Sequence, residues 1–165
     1  MSVTGTLTLK VSAREVASGD LRDAVAEHLW QSLLGWESGT TSTKADRVWS
    51  DTRSAAASAD TIDLLGSLTD IAGTTISFVD VLGFAVKNKS TTATENLTVG
   101  AGSNPWFGWL GATGDSVKVP PGGCFVWFAG TVDDASPTAG TGDILTIDPG
   151  SDTISYDIIV WGRSA

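Results

Sequence analysis

Cysteine occurs once, at Cys124, which rules out an intramolecular disulfide and gives no sign of an oxidising compartment. Histidine also occurs once, at His28, and one thiol plus one imidazole are too few ligands for a zinc site. Basic residues are scarce: ten Lys and Arg stand against 19 Asp and Glu, for a net charge of −9. No basic run exists to follow a phosphate backbone, which disfavours nucleic acid as a partner and, for the same reason, an anionic membrane surface. Apolar runs are short, none approaching the roughly 18 residues of a membrane span. The opening MSVTGTLTLKVS has neither a basic start nor a continuous apolar segment, so no export signal is expected. The sequons Asn88-Lys89-Ser90 and Asn96-Leu97-Thr98 then carry no weight. Only 18% of residues are charged, a lean surface that suits packing against neighbours.

What is present is alternation. A length of 165 residues suits one domain, and a chain of that size buries roughly 70% of its unfolded surface in a single core. Leu7, Leu9 and Val11 alternate with Thr6, Thr8 and Lys10, a strand with one wet face. Residues 20–36 carry two periods at once. Leu21, Ala24, Val25, His28, Leu29 and Leu33 fit a helical stripe, whereas Trp30, Leu34 and Trp36 alternate as a strand does. The expectation is a short helical turn near 20–27, then a strand to about Glu37. Val48-Trp49 reads as a short strand and 54–59 as an extended connector.

Strand signals then follow quickly, at 76–78, 81–87, 95–99, 117–119, 125–129, 144–147 and 154–161, with Gly, Pro and Asn turns between them. Short strands at such spacing predict an all-β chain, an antiparallel β-sandwich or jelly roll. The 81–86 and 154–161 runs are apolar on both faces and are the expected central strands. Residues 44–165 form the expected sandwich, and 1–43, less regular, an arm or added strands.

No constellation for chemistry emerges. His28 has no thiol or hydroxyl partner in a recognisable motif. Cys124 precedes a Phe-Val-Trp-Phe strand and reads as a buried, inert thiol. Asp133, Asp134 and Asp143 flank a loop that could hold calcium, but without EF-hand spacing a solvated acidic loop is the preferred reading. Gly100-Ala101-Gly102 has no Lys-Ser/Thr after it and is no phosphate loop. No catalytic, cofactor-binding or metal residue is therefore expected, and the chain reads as no enzyme.

Seven tryptophans remain. Five sit in strand-like contexts, but Trp106 and Trp109 lie in NPWFGWLG, between turn-formers. That loop either plugs one end of the sandwich, forms a subunit seam, or stacks on sugars. The candidate interface residues are Trp106, Phe107, Trp109 and Leu110, with Trp30 and Trp36 from the N-terminal region.

Several stretches, taken together, are also familiar. Residues 45–53 (ADRVWSDTR) precede a small-residue connector, followed by Ile62-Asp63-Leu64 and Gly66-Ser67-Leu68-Thr69-Asp70. Asn96 to Gly100 leads into the aromatic loop, Val117 to Gly123 (VKVPPGG) precedes an apolar strand, Thr138 to Asp143 (TAGTGD) precedes Ile144-Leu145, and the chain closes on Ser155 to Gly162 (SYDIIVWG). In this order the set, covering about 44–162, resembles a family of small structural proteins encoded in the virion-gene clusters of tailed bacteriophages and prophages. The resemblance implies a β-rich particle component made in the host cytoplasm and carried in the virion. It brings no catalytic residues. The expected role is a head decoration or cement subunit, a homotrimer holding the major capsid protein together; the alternative is a tail, receptor-binding or carbohydrate-binding component.

Overall fold

The computed structural model describes residues 2–20, 22–130 and 135–165. The alternating segments become twelve strands: β1 (Gly5–Ala17), β2 (Ala24–Trp36), β3 (Arg47–Ala56), β4 (Asp60–Asp63), β5 (Leu68–Thr69), β6 (Thr75–Ile76), β7 (Asp80–Asn88), β8 (Leu97–Gly100), β9 (Ser116–Val119), β10 (Cys124–Phe128), β11 (Ile144–Asp148) and β12 (Thr153–Arg163). β3, β4 and β7–β12 make two four-stranded sheets, ordered β10-β7-β12-β3 and β4-β11-β8-β9, every neighbour antiparallel. Setting aside the two-residue pair β5–β6, the first, third, sixth and eighth of these strands share one sheet. The second, fourth, fifth and seventh share the other. That interleaving is the jelly roll, two Greek keys closed face to face.

As expected, β7 and β12 are central. Their inward side chains, Val81, Phe84, Val86, Ile154, Tyr156, Ile158 and Val160, meet Leu97, Val99, Leu145 and Ile147 of the opposite sheet in one buried cluster. Both strands have neighbours on each side and must be apolar on more than one face. A bulge between β7 and β12 leaves Leu82 without a partner in that ladder, and Leu82 joins a second cluster on the outer face of the sheet.

Two local expectations are corrected. Among the described residues there is no helix, and in place of the turn near 20–27 strand β2 runs unbroken from Ala24; Leu21 lies outside the described residues. β1 and β2 form a two-stranded ribbon with thirteen consecutive pairs and no bulge. Residues four apart share a face in a strand as well as on a helix, so Val25, Leu29 and Leu33 imitated a helical stripe. Similarly, Val48-Trp49 belongs to a ten-residue strand that takes in Ser54 to Ala56 of the supposed connector. β3 is an edge strand, and its exposed Ser50, Asp51 and Thr52 hid a ladder of ten pairs with β12.

Where β3 passes from one sheet into β4 of the other, a polar clamp closes the corner. Arg53 donates two hydrogen bonds to Asp60 (2.7 and 2.8 Å), and the Tyr156 hydroxyl donates a third (2.7 Å). Burial works against ionisation of Asp60, but donation from Arg53 and Tyr156 outweighs it and holds the carboxyl below its ordinary value. Burial, together with donation to Asp60, pushes the Tyr156 hydroxyl up, so it remains a donor at every physiological pH. A carboxylate whose folded value is depressed stabilises the fold above its unfolded value and loses that contribution as pH falls through the folded one. Asp60→Asn is therefore expected to cost about 2 kcal/mol near neutrality. The gap from wild type should close on acidification below about pH 4. Urea unfolding of both proteins at pH 7 and pH 3 checks this; an equal gap at the two values would refute the clamp.

Candidate functional site

The aromatic loop between β8 and β9 folds inward. Asn104 takes a positive φ of 49°, after which Pro105 forms a single parallel bridge with Ile144: the Trp106 amide donates to the Ile144 carbonyl (2.8 Å) and the Ile144 amide donates to the Asn104 carbonyl (3.1 Å). Trp106 is 1% exposed, and its indole N–H donates to the Ala135 carbonyl at 2.9 Å. Trp109 is partly buried, its indole N–H donating to the Trp106 carbonyl at 3.1 Å. Both rings pack on Phe84, which also meets Phe125 and Trp127, with centroids 4.9 to 6.1 Å away. The loop thus plugs one end of the jelly roll. Of the four loop candidates only Phe107 is exposed, while Leu110 is half-buried.

The N-terminal candidates lie elsewhere. On the outer face of the β10-β7-β12-β3 sheet, cross-strand pairing sets Phe128, Gly83, Trp161 and Val48 in one row. Glycine at 83 leaves room for Trp161, whose ring atom would lie 2.2 Å from any Cβ added there. Trp36, at the foot of the ribbon, stacks on Trp161 with centroids 5.2 Å apart and planes 5° from parallel. Leu7 packs beside it. This small cluster seats the ribbon on the body.

Beyond its foot the ribbon runs out of cover. Directly opposed residues share a face. One face therefore carries Leu7 and Leu34, Leu9 and Ser32, Val11 and Trp30, Ala13 and His28, Glu15 and Ala26, then Ala17 and Ala24. The other carries Leu33, Leu29, Val16 and Val25 among Thr6, Thr8, Lys10, Gln31, Ser12, Arg14 and Glu27. Val11 is 60% exposed, Leu29 65%, Trp30 56% and Leu33 64%. Of the ten exposed large hydrophobic residues among those described, six (Val11, Val16, Val25, Leu29, Trp30 and Leu33) belong to the ribbon. An isolated two-stranded ribbon is at best marginal in water, and its exposed apolar side chains are divided between two faces, Val11 and Trp30 on one and Leu33, Leu29, Val16 and Val25 on the other. Only Trp30 and Trp36 of this surface were singled out from the sequence. The Leu7–Leu9–Val11 alternation, paired with Leu29 and Leu33, held the signal for the rest.

The groups considered for chemistry are dispersed. His28 stands on the ribbon 3.7 Å from Glu15, both solvent-exposed. Cys124, expected to be buried, is exposed: Phe125 and Trp127 point into the core, so alternation turns Cys124 outward. Desolvation, only partly offset by Lys87, raises its thiol pKa and keeps it protonated. Asp143 accepts the Gly140 amide at 2.8 Å, a local turn contact. Asp133 and Asp134 lie outside the described residues. Among the described residues no three metal-ligating side chains stand together.

No protein-family model, curated protein or solved structure matches the chain.

Proposed function

We propose that this chain is a structural subunit that acts by contact, docking into a larger assembly through its β1–β2 ribbon. The observation that carries the reading is the ribbon itself: thirteen unbroken pairs bearing six of the ten exposed large apolar side chains among the described residues, seated on a jelly-roll body at its foot. Burying such a surface against neighbours removes apolar area from water, at roughly 25 cal/mol per Å². With many equivalent copies, modest contacts add up.

The kind of assembly rests on the order of motifs in 44–162 and its resemblance to small virion proteins of tailed phages. In this reading the chain decorates the phage head, bridging neighbouring shell subunits against the pressure of packaged DNA, and performs no catalysis. Jelly rolls occur in both viral capsid and lectin domains, so the fold alone favours neither decoration nor sugar binding. Sugar binding is the weaker reading because Trp106, the ring best suited to stack on a sugar, is closed inside the core.

The test is stoichiometry. Particles induced from a host carrying this gene should contain the chain in hundreds of copies, quantified by mass spectrometry against the major shell protein. A handful of copies would move it to the tail or a vertex, and its absence from particles would remove the reading.

A further inference from the structure

We propose that the chain carries a second binding surface, apart from the ribbon: a cleft beside the aromatic loop that takes a neutral sugar. The cleft, of about 390 Å³, lies between Trp106, Phe107 and Gly108 on one side and Ser136, Thr138 and Thr141 on the other. Small-molecule sites span roughly 300–1,000 Å³, so one or two sugar rings are a ligand of suitable size. The inference goes beyond the contact role and does not depend on it.

Both walls are fixed before any ligand arrives. The Pro105–Ile144 bridge holds the aromatic loop, and the Trp106 indole ties it to the Ala135 carbonyl. Opposite, Thr138 and Gly142 exchange amide hydrogen bonds of 2.9 and 2.8 Å, and the Thr141 amide donates back to the Thr138 carbonyl at 3.2 Å. Gly140 turns the chain there with a φ of 71°, its amide held by Asp143. The Ser136 hydroxyl donates to Asp80. A site braced by its own backbone gives up little entropy on binding.

The side chains on the walls name the ligand. Trp106 is closed off, but Phe107 is 39% exposed and offers a ring for stacking, so the burial of Trp106 does not shut this site. Thr138 and Thr141 are exposed, and neither hydroxyl has a hydrogen-bond partner among the described residues. Each can donate and accept, as a sugar hydroxyl does. No Lys, Arg, His, Asp or Glu lines the cleft, which leaves an anion or a cation without a counter-charge. Asp80 and Asp143, bracing one wall, further disfavour an anion. A lipid chain would cover both threonine hydroxyls and leave them unpaired. A pyranose satisfies both requirements: its C–H face lies on the ring and its hydroxyl edge meets the threonines.

The experiment is a chemical-shift titration of the full, isotope-labelled chain with maltotriose, cellotriose and chitotriose. At least one should move the amides of residues 107–108 and 138–142 together, saturating at millimolar concentration, whereas inorganic phosphate should move none of them. Phe107→Ala, made harmless to the fold by the exposure of that ring, should weaken binding about tenfold. Thr138→Val with Thr141→Val keeps the branched shape and the backbone bridge but removes both hydroxyls, and should weaken binding by a similar factor. The dispersion of each variant's spectrum reports its folding. Silence toward all three sugars, a response away from the cleft, binding indifferent to either change, or a response to phosphate at these amides would overturn the inference.

Discussion

Replacing Phe84 by alanine is expected to lower the stability of the chain by about 4 kcal/mol, the upper part of the range for a buried aromatic ring. Phe84 is fully buried in central strand β7, and Trp106, Trp109, Phe125 and Trp127 all pack around it. Its removal opens a void that four stiff rings cannot jointly refill, because each is fixed by its own strand or by the hydrogen bonds of the aromatic loop. Urea unfolding read by tryptophan fluorescence measures the loss. Residual emission of the folded variant should also shift to the red as water reaches the Trp106 and Trp109 rings. Phe107→Ala, one residue from Trp106 but exposed, should change stability by no more than about 0.5 kcal/mol. Comparable costs for the two variants would mean that the cluster is not the centre of the core.

Trp36→Ala is expected to uncouple the ribbon from the body. The Trp36–Trp161 stack and Leu7 are the ribbon's apolar attachment, and a bare hairpin has little stability of its own. Amide exchange in β1 and β2 should accelerate by roughly 100-fold, about 3 kcal/mol of local protection, while β7 and β12 keep theirs. The comparison is made in dilute solution. Equal acceleration in the central strands would show that ribbon and body unfold as one unit.

The body was largely legible in the sequence, and the reason is physical. Strands buried on both faces, such as 81–86 and 154–161, cannot be written with polar residues, so their position in the sheet is visible in the chain. Edge strands have no such constraint. β3 hides behind Ser50, Asp51 and Thr52 because its outer side faces water. The ribbon was misread in part for the opposite reason. With apolar residues on both faces and no core beneath, its spacing satisfied a helix and a strand equally, and only the pairing of Leu29 with Ser12 and Trp30 with Val11 decides. As for the candidate surface, Trp30 and Trp36 were reachable from composition. The burial of Trp106 was not, since it depends on Ile144, 38 residues away, offering its backbone to the loop.

The ribbon's seat on Trp161 has a mechanical corollary. Trp161 belongs to β12, which is laced to β3 on one flank and to β7 on the other. Tension drawn along the ribbon therefore reaches the body by two routes: through the Trp36–Trp161 stack to an inner strand held by two rows of hydrogen bonds, and through the chain between Trp36 and Arg47 to the edge strand β3. The aromatic stack is the softer of the two, so the ribbon's seat is expected to give way before the ladders of β12 do.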